Sequence, residues 1–126
     1  MRIGLFIAII ALLLSVMTAH ADKPTVIKDS EAIQYVGKEV EVRGRVASVT
    51  TSPLGTTFIN FGGEYPNQRF AGFIAAASPI AADQRLTMIQ GKTVGITGIV
   101  RLRDRKPEIE IVSADQITGL DSQTER

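Results

Sequence analysis

The sequence predicts a mainly β fold: a small barrel of five strands, with one short helix ahead of it and one inside it. Three observations carry that prediction. The stretch KEVEVRGRVASVTTSPLGTTFINFG, Lys38 to Gly62, reads as a long strand, a glycine and proline turn, and a second strand ending on glycines. Apolar residues recur along it with a period of two, and again near the C-terminus, as half-buried strands require. Between the third and fourth strand patterns sits one segment, opening on Ser78-Pro79, with the start signals of a helix.

The first 21 residues stand apart from that fold. Arg2 is a short positive start, Ile3 to Met17 is an uncharged apolar run, and Ala19-His20-Ala21 is a small-x-small site followed by Asp22-Lys23-Pro24. This is the three-part pattern of a secretory signal peptide, cleaved after Ala21. The alternative is an uncleaved N-terminal anchor, but the apolar run is shorter than the ~20 residues that span a bilayer. The expectation is a periplasmic or secreted protein with no stable membrane span after cleavage. No later segment is apolar enough to cross a membrane.

The mature chain is expected to divide into an extended leader (22–28), one domain (29–117) and a flexible tail (118–126). Its length suits one domain with one core. It has no cysteine, so packing alone must hold an exported protein together. Cleavage removes Arg2 from the 14 Lys and Arg, which leaves them equal in number to the 13 Asp and Glu. Non-specific nucleic-acid binders usually carry a basic excess, so any such site here must come from local clustering.

The only histidine, His20, leaves with the signal peptide. Without His or Cys the mature chain has no Ser-His-Asp or Cys-His nucleophile, no imidazole acid–base group and none of the usual zinc sites. The carboxylates Asp29, Glu31, Asp83, Asp104 and Asp115 are scattered and form no calcium-loop pattern. The chain is therefore expected to be non-catalytic, with no cofactor and no metal.

In chain order, Asp29-Ser30-Glu31 opens a short helix, with Asp29 or Ser30 as cap and Ala32, Ile33 and Val36 as its apolar face. Gly37 can end it in the left-handed conformation. Val40, Val42 and Val46 alternate with Glu41, Arg43 and Arg45 in the first strand, where Gly44 suggests a bulge or bend. Ser52 to Gly55 is a turn. Thr57 to Phe61 is the second strand, with Ile59 and Phe61 on one face and Phe58 and Asn60 on the other. Arg69 to about Ala75 is the third, with Phe70, Gly72 and Ile74 opposite Ala71 and Phe73. Tyr65 to Gln68 before it reads as turn chemistry rather than a ligand loop.

The internal helix runs from Ser78 toward Gly91, with Ile80, Ala81, Leu86, Met88 and Ile89 supplying imperfectly spaced apolar surface. Thr93 to Val100 is the fourth strand, with Val94, Ile96 and Ile99 inward. Arg101 to Lys106 is a turn region, and Pro107 opens a fifth strand bearing Ile109 and Ile111. The order β-β-β-α-β-β is the connectivity of the OB-fold barrel, whose face around strands two and three commonly binds oligonucleotides. A split ferredoxin-like or SH3-like sheet is the runner-up; the helix position favours the OB reading.

VGKEVEVRGRVASV (Val36 to Val49), GTTFINFG, YPNQRFAGFI, GKTVGITGIV and KPEIEI together resemble small exported bacterial OB-fold modules, which occur alone or beside nuclease domains. The likeness spans Asp29 to Ile117. More distantly, VGKEVEVRGRV, a glycine turn and FINF are similar to the anticodon-binding OB domain of aspartyl-type class II tRNA synthetases. That resemblance implies a base-stacking role for Phe58 and a polar role on the same outer face for Asn60. Ala47-Ser48-Val49-Thr50 stands where that family has a basic stretch, and the catalytic synthetase domain is absent, so no aminoacylation carries over. The staphylococcal-type nuclease also uses an OB barrel, but its active-site motif and extra helices are missing.

The candidate ligand-binding residues are Phe58, Asn60, Arg43, Arg45, Arg101, Arg103, Arg105 and Lys106. The four from Arg101 to Lys106 are either a phosphate-tracking rim or a solvated hairpin paired with Asp104, Glu108 and Glu110. Phe58 is either a stacking platform or a half-buried barrel residue under the N-terminal arm. The reading is a non-catalytic binding module, monomeric or weakly dimeric, for single-stranded DNA or RNA. The alternative is an envelope module that binds a protein or a saccharide.

Overall fold

A computed structural model describes residues 23–121. The expected signal peptide (1–21) and residues 122–126 of the expected tail lie outside the described residues. The strands are β1 (Thr25–Lys28), β2 (Glu39–Thr51), β3 (Thr57–Phe61), β4 (Phe70–Ile74), β5 (Thr93–Ile99), β6 (Arg101–Arg103), β7 (Lys106–Glu110) and β8 (Ile117–Thr118). The five expected strand segments are all present, the fourth divided into β5 and β6 at Val100.

The organising element is β2. Its first half pairs antiparallel with β5, from Glu39↔Ile99 to Arg45↔Thr93. Its second half pairs antiparallel with β3, from Val46↔Phe61 to Thr51↔Thr57. The register shifts between Val46 and Ser48, which is a β-bulge. One extra residue there lets Val46 and Val49 both face the core although they are of opposite parity. The bend expected at Gly44 is thus at Ala47. Gly44 itself permits close approach: a Cβ there would stand 3.1 Å from the Asp29 carboxyl and 3.2 Å from the Phe61 ring.

From β3 the sheet continues to β4 (antiparallel), then to β7 (parallel, Ala71↔Glu108 to Phe73↔Glu110), then to β6 (antiparallel). Because β5 runs on into β6, the path returns to β2 and the barrel closes. The corner at Val100 is held by Gly37 N–H donating to the Val100 carbonyl (2.8 Å) and Val100 N–H donating to the Lys38 carbonyl (3.1 Å). Inside, Val42, Val46, Ile59, Phe61, Phe70, Ile74, Ile96, Ile109 and Ile111 are fully buried. Phe61 and Phe70 are cross-strand partners with ring centroids 5.3 Å apart.

Both expected helices are 3-10 rather than α. The first spans Asp29–Tyr35. With three residues per turn, Ala32 and Tyr35 share a face and pack on the core, while Ile33 and Val36 turn outward. Two carboxylates serve its start: Asp29 Oδ1 accepts from Ser30 N–H (2.8 Å), and the Glu31 carboxylate accepts from Lys28 N–H (2.8 Å). The internal helix is two short pieces, Pro79–Ala82 and Gln84–Met88. Asp83 divides them, because its carboxylate accepts from Arg85 N–H (2.9 Å) and so competes with a continuing helix.

The sheet extends past both ends of the expected domain, 29–117. Thr25–Lys28 joins the sheet, parallel to β2 through Thr25↔Val40 to Lys28↔Arg43, and Ile27 is buried. At the other end β8 pairs with β5, and Leu120, placed in the expected flexible tail, is buried. Ile99, expected inward, is exposed; Gly98 takes the inward position at the end of β5.

Gly98 marks a close approach in the barrel wall. A Cβ there would stand 2.5 Å from Ile109 Cγ2 on β7, a branched side chain with little room to turn. Overpacking of this kind costs about 1–3 kcal/mol. Gly98→Ala is therefore expected to lower the urea midpoint of unfolding by that amount of stability, with an unchanged slope.

Candidate functional site

The outward face of β3, β4 and β7 carries two rows of side chains set by the register. One row is Thr50, Phe58, Phe73 and Glu110; the next is Ser48, Asn60, Ala71 and Glu108, with Arg101 across from Glu108 on β6. Phe58 and Phe73 are direct cross-strand partners and both are partly exposed. Arg103 lies over both: its Cζ is 6.0 Å from the Phe58 ring centroid and 5.7 Å from that of Phe73. What stands over Phe58 is therefore a guanidinium. The N-terminal arm is elsewhere, along Val40 to Arg43.

Arg103 is carried there by a tight hairpin. Asp104 (φ 50°) and Arg105 (φ 67°) both have left-handed backbones, as the two-residue turn joining β6 to β7 requires. Lys106 fastens the hairpin to the β3–β4 loop. Its ammonium donates to the carbonyls of Pro66 and Gln68, the latter at 3.1 Å. Among the described residues the ion pairs are Arg43–Glu41, Arg85–Asp83 and Arg85–Asp121. None involves Arg101, Arg103, Arg105 or Lys106; the hairpin cations from Arg101 to Arg105 are exposed and make no direct ion pair with Asp104, Glu108 or Glu110.

The other candidates are placed differently. Asn60 is on the outward face but only 1% exposed, and its amide donates to Ser48 Oγ (3.1 Å) and Thr50 Oγ1 (3.3 Å). It fastens β3 to β2. Arg43 is bound to Glu41 (2.6 Å) on the half of β2 that pairs with β1 and β5. With a rise of roughly 3.3 Å per residue, it lies on the order of 23 Å along the strand from Thr50, the partner of Phe58. Arg45 lines a separate open groove with Asp29, Gly62, Gly63, Gln90 and Gly91. The structure thus brings Phe58 together with Arg103, and with the rest of the hairpin, but not with Arg43 or Arg45.

Two residues that sequence reasoning passed over belong to this face. Phe73 has the same outward parity as Ala71, and the register of β3 on β4 puts it beside Phe58. On the sequence Glu108 is only a candidate counter-charge to the hairpin. It is 5% exposed, and among the described residues neither its Oε1 nor Gln68 Oε1 has a hydrogen-bond partner. Burial raises the Glu108 pKa above its ordinary 4.5; the Arg103 charge opposes that shift and the Asp104 charge adds to it.

No family model matches this chain, and no curated protein matches it. Solved structures do. An OBody bound to hen egg-white lysozyme superposes with a TM-score of 0.54 at 19% identity, over 78% of this chain and 95% of that one. The barrel is an OB-fold. A putative aspartyl-tRNA synthetase from Leishmania major Friedlin gives a TM-score of 0.51 at 14% identity, over 79% of this chain and 21% of that one. The aspartyl tRNA synthetase from Entamoeba histolytica gives 0.50 at 16%, over 71% and 20%. This chain corresponds to about a fifth of either synthetase. At such identities the likeness is one of OB-fold architecture.

Two outcomes follow from the hairpin and from Glu108. A left-handed backbone costs a side-chain-bearing residue about 1–2 kcal/mol, and glycine escapes that cost. Arg105→Gly is therefore expected to stabilise the fold by about 1 kcal/mol in chemical denaturation. A carboxyl whose folded pKa is raised contributes stability that is full below its unfolded value and is lost as pH rises through the folded one. Glu108→Gln removes that loss. The variant should gain stability relative to the parent as pH rises from below 4.5 toward neutrality, measured as the difference between their melting temperatures.

Proposed function

We propose that this protein is a non-catalytic binding module that takes single-stranded nucleic acid on the Phe58–Phe73 face. The observation that carries the reading is the placement of Arg103 over two adjacent phenylalanine rings with no carboxylate paired to it among the described residues. A guanidinium stacks on an aromatic face much as a base does, and its hold there is weak, roughly 0.5–2 kcal/mol. A base can take its place on the rings. The freed guanidinium, with Arg101 and Arg105 beside it, then meets the phosphate. Aromatic platforms bordered by cations are how single strands are held without a sequence code.

The backbone at Arg105 supports the same reading. A bulky cation in a left-handed turn is a local cost, and such costs gather at functional positions. The second reading, a surface for a protein or saccharide in the cell envelope, is favoured by the equal numbers of acidic and basic residues once Arg2 is gone. It also draws on the exposed Leu54 and Tyr65 in the loops flanking β3, and on the lysozyme-bound OBody. The N-terminal pattern supports export, with the mature chain beginning at Asp22.

Titration of labelled single-stranded DNA and RNA at low and moderate salt tests the first reading. Micromolar binding that weakens steeply with salt is expected. Phe58→Ala and Phe73→Ala should each cost about 1–3 kcal/mol of it, the worth of one stacked base. No binding of either nucleic acid at low salt overturns the reading and leaves the envelope alternative, to be tested by capture from envelope extract. Export is checked by fractionation and by N-terminal sequencing. A cytoplasmic chain that still begins at Met1 would contradict it.

A further inference from the structure

The stacking platform explains Phe58, Phe73 and Arg103 but leaves Glu108 without a task. Its placement is specific. On β7 it is the direct partner of Ala71 and the diagonal neighbour of Phe73, one row along the same outward face. It is 95% buried by neighbours, yet Oε1 receives no hydrogen bond from the described residues. Gln68 Oε1, in the loop that Lys106 fastens to this hairpin, is a second buried acceptor in the same condition. Buried acceptors are nearly always satisfied, and exceptions call for an explanation. Here the missing component is a hydrogen-bond donor.

The row order gives the direction from which a donor would come. From Phe58 on β3 the sheet steps to Phe73 on β4 and then to β7. A base stacked on Phe73 therefore has an edge toward β7, where the exposed Glu110 is the direct partner of Phe73 and the buried Glu108 its diagonal neighbour. Arg103, an exposed residue without an ion pair among the described residues, lies over these rings, and its charge acts on Glu108.

Resting on the nucleic-acid reading above, we propose that Glu108 sets the base preference of this face: once a base has taken the place of Arg103 on the rings, Oε1 accepts from its exocyclic amino group. Cytosine satisfies the orphan acceptor through its N4 amino group. Thymine and uracil present O4 at the same position, a second acceptor facing the first. The face therefore favours cytosine-rich over thymine- or uracil-rich single strands.

The test compares homopolymeric dC and dT oligonucleotides by fluorescence anisotropy at neutral pH and low salt, with the parent, Glu108→Met and Phe58→Ala. Methionine keeps the bulk of the side chain and removes the acceptor. Replacing an unsatisfied buried carboxyl by an apolar group of similar shape leaves the fold intact or stabilises it. The parent should bind dC roughly tenfold more tightly than dT, the discrimination of one specific base hydrogen bond. Glu108→Met should lose that preference by weakening dC alone, whereas Phe58→Ala should weaken both. Equal binding of dC and dT by the parent overturns the inference and leaves the platform standing. A preference that persists in Glu108→Met also overturns it. Binding of neither oligonucleotide overturns the platform and this inference together.

Discussion

Everything in this barrel depends on β2 having two sets of partners. Its first half is a neighbour of β5 and its second half a neighbour of β3, and the bulge between Val46 and Ser48 makes the change possible. Without the extra residue, the outward and inward parities of β2 would be fixed along its whole length. Val46 and Val49 could not both face the core, and Ser48 and Thr50 could not both stand outward to receive the amide of Asn60. The bend closes the wall, and the wall brings β7 and its hairpin round to the outward side of β3 and β4. The relation of Arg103 to Phe58 and Phe73 is a consequence of that closure.

The candidate face shows how a small barrel assigns its polar groups. The row Ser48, Asn60 and Ala71 is tightly covered, and its hydrogen bonds are satisfied within the sheet. The row Thr50, Phe58 and Phe73 beside it is more open and carries aromatic surface. The cations come from a turn whose backbone is unusual and whose foot is fastened by Lys106 to two carbonyls. A rigid anchor at Lys106 and a lightly held guanidinium at Arg103 divide positioning from contact. Arg43 and Arg45 belong to the opposite stretch of β2, where one is engaged by Glu41 and the other borders a separate groove.

Parity made much of the fold legible. The alternation of Val40 and Val42, and of Ile59 and Phe61, is a direct record of burial. The sites of irregularity were less readable. Gly44 has the composition of a bulge, but the bulge is at Ala47, which carries no local signal. The imperfect apolar spacing from Ile80 to Ile89 was a hint that no single α-helix runs there; Asp83 is the physical reason. Within the site, parity gave the face of Asn60 but not its depth, because depth depends on what the neighbouring strands bring beside it. The importance of Phe73 needed the register of β3 on β4, which no count of residues in one strand supplies. Glu108 looked like an ordinary surface acid because its alternation with Ile109 matches a half-exposed strand.

The parallel contact of β4 with β7 has a further consequence, for the order in which the chain can assemble. β3 and β4 are joined by a short loop and can meet early. The wall is complete only when β5 returns to β2 and β7 reaches β4, and both contacts join residues far apart in the chain. Such contacts are formed only after a large loss of chain freedom, so the rate of folding is governed by topology more than by local preference. In this barrel the aromatic pair is made by strands that are neighbours in the chain, whereas Arg103 and Glu108 are joined to it only by distant contacts.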